Sequence, residues 1–166
     1  MSRLAIREDA AAIATAHIRS WQEAYIGIFS AEFLGSLDVD SRAERVGEWI
    51  ESDRLGVLVA ERNGDIAGFS LLGHGDDEGW GELLAIYALP DVWGTGVGHE
   101  LMVGSMDWFR DSGFERAYLW VLEQNPRARA FYESHGWTLG KPIRLEEIGG
   151  SAVTEVRYES DPLEVL

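Results

Sequence analysis

The sequence predicts a mixed α/β fold, in which an antiparallel part is followed by parallel crossovers. Asn63 and Gly64 stand between two apolar runs, and this pair predicts a β-hairpin because both residues tolerate a positive φ. Further along, a pattern of helical spacing lies between two strand-like runs, which is the order of a parallel crossover. The chain of 166 residues has the length of one domain, so we expect a single domain over residues 1–166.

The N-terminal half predicts one short strand, three helical segments and the hairpin. Residues 3–7 alternate as a strand does, and Glu8 or Asp9 stands where the cap of a helix is expected. Apolar residues then recur at helical spacing as far as about residue 25. The later helical segments are 30–37 and, after the cap-like pair Asp40-Ser41, a run to about 52; the hairpin strands are 56–61 and about 65–72.

The C-terminal half predicts strands that alternate with helices. Residues 80–89 form a strand that Pro90 ends, and the helix from about 96 to 112 stops at Gly113. The remaining elements are an apolar strand at 117–122, a helix from the Asn125 cap and Pro126 to about 135, and two strands about the Gly149-Gly150 turn that end near 158.

The chain is strongly acidic, with 29 acidic residues against 14 basic ones and a formal net charge of −15. The phosphates of nucleic acids and of anionic membranes would be repelled, so we expect neither as a partner. A cationic small molecule or a peptide amine would be attracted. The alternative is that the charge serves only solubility.

Targeting and metal-binding features are few. Cysteine is absent, which excludes disulfides and thiolate metal sites. No apolar run reaches the length of a membrane span, and the N-terminal residues lack the apolar block and cleavage site of a signal peptide. The four histidines are scattered and the carboxylates lack calcium-loop spacing, so we expect no metal. The expected location is cytoplasmic.

The stretch ALPDVWGTGVGHELM (88–102) has glycines at 94, 96 and 98, ahead of an apolar helix. Such glycines are typical of phosphate sites, because the backbone comes close without Cβ clashes and the helix presents free N–H groups. A mononucleotide P-loop needs a lysine, but His99 follows Gly98; a dinucleotide site needs GxGxxG after the first strand, not GxGxG after the fourth. The third possibility is a cradle for the diphosphate of coenzyme A, and the alternative to all three is a plain strand-to-helix turn.

Two segments resemble the GCN5-related N-acetyltransferase (GNAT) family. ELLAIYALPDVWGTGVGHELM (82–102) is similar to its acetyl-CoA-binding segment, which is a strand, a proline and then [Q/R]-x-x-G-x-[G/A]. NPRARAFYESHGW (125–137) is similar to the family's N-x-x-A-x-x-F-Y-E-x-x-G-F. The resemblance covers about residues 55–140. It departs at one position, because Trp93 stands where the family usually has Gln or Arg.

This resemblance implies a GNAT-like α+β fold: a mixed, mostly antiparallel central sheet flanked by helices, with a parallel strand pair splayed around the coenzyme site. It implies acetyl-CoA as co-substrate, no metal, and backbone amides near 86–88 that bind the pantetheine arm and polarise the thioester carbonyl. Asn125 would cap its helix and also touch the coenzyme, although capping alone explains it. The expected coenzyme-binding residues are Ile86, Tyr87, Ala88, Trp93, Gly94, Thr95, Gly96, Val97, Gly98, His99 and Asn125.

The resemblance also implies acyl transfer from a thioester to an amine, with Tyr132 as the general acid beside the coenzyme sulfur. A phenol is protonated at pH 7 and can donate; the alternative is that Tyr132 is only a core aromatic. Glu82 is the candidate base, directly or through water. Strand alternation would place it on one face with Leu84 and Ile86, where burial would raise its pKa. The alternatives are an exposed strand-end glutamate and the rival bases His74, Asp76, Asp77 and Glu78.

The family usually builds its acceptor site from its first helices, and aromatic side chains recur in that region here. They are Trp21, Tyr25, Phe29 and Phe33, which would also be explained as core residues. We expect a small-molecule or peptide acceptor, a primary amine on an apolar or aromatic body, that attacks acetyl-CoA directly in a ternary complex. The alternatives are a non-catalytic acyl-CoA-binding or sensor module on the same fold and, weakened by the glycine spacing, a nucleotide-dependent oxidoreductase. Many proteins of this resemblance pair as dimers, so a homodimer is one expected state.

Overall fold

One seven-stranded sheet forms the centre of the protein in the computed structural model, which describes residues 1–164. The strands are β1 (Arg3–Leu4), β2 (Gly56–Arg62), β3 (Asp65–His74), β4 (Trp80–Ala88), β5 (Arg116–Leu122), β6 (Thr138–Ile148) and β7 (Ser151–Glu159). The α-helices are α1 (Ala10–Ala24), α2 (Ala31–Gly35), α3 (Val39–Glu51), α4 (Val97–Asp111) and α5 (Pro126–Ser134). Short 3-10 turns lie at Arg7–Asp9 and Pro90–Val92.

The strands lie in the order β1-β2-β3-β4-β5-β7-β6. Strands β1 to β4 pair antiparallel, β4 and β5 pair parallel, and β5, β7 and β6 pair antiparallel again. A parallel pair needs a crossover, which α4 provides by connecting the end of β4 to the start of β5. The mixed, mostly antiparallel fold with one parallel pair is therefore confirmed.

Helices cover both faces of the sheet, and each face has its own apolar core. On one face, Ile13 of α1 and Val46 of α3 pack with Phe69 of β3. On the other face, Leu101 of α4 and Tyr132 of α5 belong to a second cluster. Among the residues described, no helix combines the length and apolarity needed to cross a bilayer.

The hairpin between β2 and β3 has the turn that the sequence predicts. Asn63 and Gly64 have φ values of 55° and 86°, both in the left-handed region. A two-residue type I′ turn requires positive φ at both positions, and its twist matches that of the flanking strands.

The cap of α3 lies two residues earlier than the expected Asp40-Ser41 pair. Asp38 has an extended backbone, and its carboxylate accepts from the amide of Ser41 at 2.8 Å. The expected cap was wrong because Asp38 and Asp40 are both suitable cap residues, and the backbone enters the helix at Val39.

The side chain of Asp9 stabilises the N-terminal segment and does not cap α1. No helix amide donates to its side chain, although it directly precedes the helix. Its carboxylate instead accepts from the amide of Ile6 at 2.9 Å and pairs with Arg3 at 2.7 Å. Hydrogen bonding from Arg3 lowers the pKa of Asp9. Strand β1 is shorter than the predicted 3–7, because the chain turns after Leu4 to bring Ile6 to Asp9.

Candidate active site

Strands β4 and β5 pair over three residues each and then diverge. Their parallel ladder joins residues 80–82 to residues 116–118, while β4 continues to Ala88 and β5 to Leu122. The gap opens a cleft of about 560 Å³, lined also by α1 and by residues of α4 and α5. This is the splayed pair that the resemblance implied. Its unpaired strand edges leave backbone donors and acceptors for a ligand.

The amides of Ile86 and Ala88 face this gap. Leu89 donates its N–H to the carbonyl of Ala67 in β3 at 2.8 Å. Amides alternate in direction along a strand, so the N–H of Tyr87 also points to β3, and those of Ile86 and Ala88 point away from it. The expected backbone role therefore fits Ile86 and Ala88, whereas the amide of Tyr87 is turned to the neighbouring strand.

The glycine-rich loop meets α4 with its amides free. Gly94 and Gly96 have φ values of 77° and 90°, a conformation that favours glycine. The first helical bond of α4 runs from the amide of Glu100 to the carbonyl of Gly96. A helix start of this kind is suited to hold a phosphate. Within residues 1–164, no backbone acceptor is bonded to the amides of Gly94, Gly96, Val97, Gly98 and His99.

Three other residues of the loop have structural roles that the sequence did not predict. A Cβ at Gly98 would lie 3.1 Å from the ring of Phe131, so this glycine lets α5 approach α4. Thr95 donates both its hydroxyl and its amide to the carbonyl of Val92. Val97 is fully buried in the core. Thr95 and Val97 are absent from the described cleft lining, and of the two only Val97 keeps a free amide.

Trp93 contacts strand β4 and helix α5 beside the glycine loop. Its Nε1 donates to the carbonyl of Ala88 at 2.9 Å, and the hydroxyl of Ser20 in α1 donates to the same oxygen at 2.9 Å. The guanidinium of Arg127 in α5 lies over the indole, with Cζ 3.4 Å from the ring centroid. Burial lowers the pKa of Arg127, which stays protonated all the same. Sequence reasoning missed Arg127 because it lies between the defining positions of the second motif.

Asn125 and His99 both lie in the cleft lining. Asn125 is the cap of α5, and its Oδ1 accepts from the amide of Ala128 at 3.1 Å. Nδ1 of His99 lies 3.0 Å from Nε2 of His135. Nδ1 of His135 donates to the carbonyl of Phe131 at 2.7 Å, so in the neutral pair His135 accepts and His99 donates. Among residues 1–164, no group of three or more His, Asp or Glu side chains is placed to hold a metal.

Tyr132 is both a core aromatic and a lining residue of the cleft. It is 9% exposed, and its ring contacts those of Trp137 and Tyr158. Burial raises the pKa of Tyr132 above that of a free phenol, so the hydroxyl is protonated at neutral pH. No residue of the described chain hydrogen-bonds this hydroxyl, which is therefore a free donor.

Glu82 lines the cleft, but it does not share a face with Ile86 as predicted. Strand β4 carries one extra residue, Leu84, where its register with β3 shifts. Leu83 and Ile86 both pack in the core beneath α4, although regular alternation would separate them. Glu82 projects from the opposite face and accepts from the hydroxyl of Tyr118 at 3.4 Å. Gly73 pairs with Glu82, and a Cβ at Gly73 would lie 3.1 Å from the side chain of Leu84, so Glu82 shares a face with Leu84 as predicted. The prediction is wrong for Ile86, which the bulge places on the opposite face.

The environment of Glu82 favours a basic carboxylate. Burial raises its pKa above the ordinary value, and the charge of Arg144 and the hydrogen bond from Tyr118 oppose that rise. In the described part of the chain, none of the four rival bases belongs to the cleft lining; they are His74, Asp76, Asp77 and Glu78.

Aromatic side chains of α1 and the following loop line the cleft as expected. Trp21 stacks on Phe29, with centroids 5.8 Å apart and planes at 11°. The hydroxyl of Tyr25 lies 3.0 Å from that of Tyr87. Trp21, Tyr25 and Phe29 all belong to the lining. Phe33 does not: its ring fills the space beside the Gly149-Gly150 turn.

Three further lining residues, Trp120, Arg144 and Glu155, were missed by sequence reasoning. The guanidinium of Arg144 lies over Trp120, with Cζ 4.7 Å from the ring centroid, and its Nε donates to Glu155. Glu146 lies 3.7 Å from the same nitrogen. Two carboxylates therefore share Arg144, and with Glu82 this end of the cleft keeps an excess of negative charge. The available signal was the alternation of charged residues in β6 and β7, outside both motifs.

A mostly antiparallel sheet, with one parallel pair that splays beside a glycine-rich helix start, defines the class of acyltransferases that use coenzyme A thioesters. The family model described as the Acetyltransferase (GNAT) family matches residues 18–137. This span includes both motifs and most of the cleft. The chain therefore belongs to the GNAT family and is an acetyltransferase.

A relative in sequence agrees with this assignment, and solved structures share the fold. The uncharacterized N-acetyltransferase YuaI of Bacillus subtilis is 33% identical over 157 residues, which cover 90% of this chain and 86% of that protein. The PaiA N-acetyltransferase of Thermoplasma acidophilum, in complex with coenzyme A, has a TM-score of 0.77 at 22% identity, covering 96% of this chain and 97% of that one. The structure of yncA from Salmonella typhimurium with its cofactor acetyl-CoA has a TM-score of 0.75 at 22% identity, covering 99% and 94%.

Proposed function

We propose that this protein transfers the acetyl group of acetyl-CoA to a primary amine, by direct attack of the amine in a ternary complex. The observation that carries the proposal is the content of one cleft: a helix start with free amides, the splayed strand, Glu82 and Tyr132. The structural neighbours with bound coenzyme A and acetyl-CoA support the choice of co-substrate.

Backbone groups bind the coenzyme in this proposal. The positive end of the α4 dipole aids the free amides that hold the diphosphate, which are those of Gly94, Gly96, Val97, Gly98 and His99. The amides of Ile86 and Ala88 bind the pantetheine arm and the thioester carbonyl. Such a cradle needs few basic side chains, which explains how a chain with a net charge of −15 holds an anionic coenzyme.

Glu82 and Tyr132 move the protons. Glu82 accepts a proton from the acceptor ammonium, directly or through a water, and the neutral amine attacks the thioester carbonyl carbon. A backbone amide donates to the oxyanion, which contributes about 3 kcal/mol for one well-placed donor. Tyr132 donates its proton to the sulfur as the C–S bond breaks. The second proton of the nitrogen restores the phenol through water, so one proton is released in all.

The acceptor is a primary amine on an apolar or aromatic body. Trp21 and Phe29 offer flat apolar surface to such a body, and Trp120 lies in the same lining. Arg127 lies beside the glycine loop, at the coenzyme end of the cleft. At the other end, the acceptor end, Glu82 and Glu155 give two carboxylates against the charge of Arg144, which favours an ammonium and disfavours a second carboxylate.

Calorimetric titration followed by turnover assays tests this function. We expect micromolar binding of acetyl-CoA, blocked by CoA but not by NAD or ATP, and release of free CoA thiol when cationic amines are added. No binding would withdraw the acetyltransferase proposal for acetyl-CoA. Binding without turnover across a broad amine panel would favour the acyl-CoA sensor instead.

A further inference from the structure

The side chain of Trp93 has no donor left for a phosphate. An indole carries one N–H, and that of Trp93 donates to the carbonyl of Ala88 at 2.9 Å. Gln or Arg, which the motif usually has here, would offer several donors. The cradle of this chain therefore lacks the side-chain contribution expected at its first position.

A guanidinium from another element lies at the same place. Arg127 is the second residue of α5, and its Cζ lies 3.4 Å from the centroid of the Trp93 ring. A planar guanidinium held on an aromatic face keeps its N–H groups in the plane, free to donate outward. Arg127, Trp93, Gly94 and Gly96 all line the cleft.

The charge of Arg127 has no counter-ion in the described protein. No hydrogen bond or ion pair joins its guanidinium to another of residues 1–164, and burial lowers its pKa. The residue as a whole is exposed, and in a chain with 29 acidic residues against 14 basic ones a guanidinium that no carboxylate holds is available to an anionic ligand in the cleft. Stacking on Trp93 alone would fix the side chain but would not neutralise it.

We propose that Arg127 binds the coenzyme diphosphate, and that Trp93 is the positioning residue that holds the guanidinium there. The proposal rests on the proposed function, because it takes acetyl-CoA as the ligand of the cleft. It assigns to two residues from two elements the role that one motif residue has in the resembling family. Arg127 is a binding residue here, whereas Trp93 acts through Arg127.

Binding titrations with matched variants test the assignment. Arg127→Gln removes the cation, and Arg129→Gln is its control on the same helix. Arg129 contacts Tyr158 and the carbonyl of Glu123 and lies outside the described cleft lining. Loss of a charge-assisted bond predicts about tenfold to a hundredfold weaker binding of CoA by Arg127→Gln, with Arg129→Gln close to the wild type. Salt dependence should also be shallower in Arg127→Gln, since one fewer protein cation meets the phosphates.

Variants of Trp93 test the positioning role without removing the charge. Trp93→Phe keeps an aromatic face and should retain most of the affinity, whereas Trp93→Leu should lose most of what Arg127 contributes. In the Arg127→Gln background, Trp93→Leu should have little further effect, because the two residues act as one unit. A full additional loss in that background would overturn the positioning role.

A comparison of two ligands, CoA and dephospho-CoA, identifies which phosphate Arg127 binds. Dephospho-CoA keeps the diphosphate and lacks the 3′-phosphate, so Arg127→Gln should weaken its binding by the same factor as that of CoA. A loss confined to CoA would overturn the diphosphate assignment in favour of the 3′-phosphate. Equal affinities of Arg127→Gln, Arg129→Gln and the wild type would overturn the proposal, whereas failure of the wild type to bind CoA would instead overturn the proposed function.

Discussion

The ring of Tyr132 packs in the core, whereas its hydroxyl has no partner in the described chain. A single variant can therefore remove the proton donor and keep the packing. Tyr132→Phe keeps the ring contacts and removes a hydroxyl that bonds to no described residue. We expect acetyl-CoA affinity and stability near those of the wild type, and a kcat lower by about 10²–10⁴, which is the usual contribution of a general acid. Steady-state kinetics and calorimetric titration measure the two effects.

Tyr158→Phe is the control for loss of a phenol. The hydroxyl of Tyr158 bonds to Glu133 and Arg129, and the residue lies outside the described cleft lining. Its removal should lower stability and leave kcat almost unchanged. An unchanged kcat in Tyr132→Phe would remove Tyr132 from the mechanism, and so would an equal loss in both variants.

Glu82 should set the acid limb of the pH–rate profile. A base acts only when deprotonated, so kcat/KM falls as the pH drops through the pKa of Glu82, which burial raises. Glu82→Gln should lower kcat/KM at neutral pH by about 10² and abolish this limb. Asp76→Asn is the matched change, because Asp76 raises the pKa of Glu82 from outside the described cleft lining.

Removal of the Asp76 charge should move the acid limb to lower pH without abolishing it. Profiles of kcat/KM for the two variants and the wild type, recorded in one buffer series, separate these effects. A wild-type profile in Glu82→Gln would mean that another group or bulk water is the base.

The sequence identified individual site residues only where they belong to a recognisable motif or carry a distinctive side chain. Tyr132, Glu82 and the glycine loop were found because chemistry and spacing single them out, and all lie at the cleft. The shared face expected for Glu82 and Ile86 was wrong, because the bulge at Leu84 depends on the register with β3 and is not visible in the sequence of β4 itself. Arg127 and Arg144 were missed because their partners, Trp93 and Trp120, come from other elements.

The loop that leads into α4 depends on left-handed glycines, and this dependence is testable by unfolding. Gly96→Ala places a Cβ at a φ of 90°, which should lower the free energy of unfolding by about 1–2 kcal/mol and weaken acetyl-CoA binding. Gly35→Ala in α2 is the control, because its Cβ meets open space and its φ is not positive. Urea unfolding and titration measure both variants. Equal effects in the two would show that the left-handed conformation is not what the loop requires.

Turn and cap residues predicted the position of an element well where only one residue in the segment suits the turn or the cap. Asn63-Gly64 specified the hairpin, and Asn125 with Pro126 specified the start of α5. The start of α3 was misplaced because Asp38 and Asp40 are equally good caps, and only the packed helix selects between them.

The cleft is a property of the whole sheet. Strand β5 pairs with β7 from residue 118 to residue 122, beyond the point where it leaves β4. Each strand alone has the pattern of an ordinary buried strand, so periodicity did not predict the splay; the resemblance to a family did. The acceptor end also combines α1, β4, β5, β6 and β7, which no local pattern joins.

The charge of the whole molecule and of the acceptor end predicts selectivity between two matched amines. 2-Phenylethylamine and phenylalanine share an aromatic body and a primary amine, and differ by one carboxylate. The chain carries a net charge of −15, and Glu82 and Glu155 line the cleft against Arg144, which already serves Glu155 and Glu146. One unscreened like-charge contact costs about 1–4 kcal/mol at 4 Å, so kcat/KM should be at least about tenfold higher for 2-phenylethylamine.

Added salt should lower the ratio of kcat/KM for 2-phenylethylamine to kcat/KM for phenylalanine, because exposed charges beyond the Debye length are screened. Initial rates of CoA thiol release for both amines, at low and high ionic strength, measure the effect. Equal rates at low salt, or a preference for phenylalanine, would contradict the prediction and would mean that Arg144 receives the carboxylate. Arg144→Gln separates these cases: it should leave a preference for 2-phenylethylamine intact, whereas it would abolish turnover of phenylalanine if the guanidinium were its binding site.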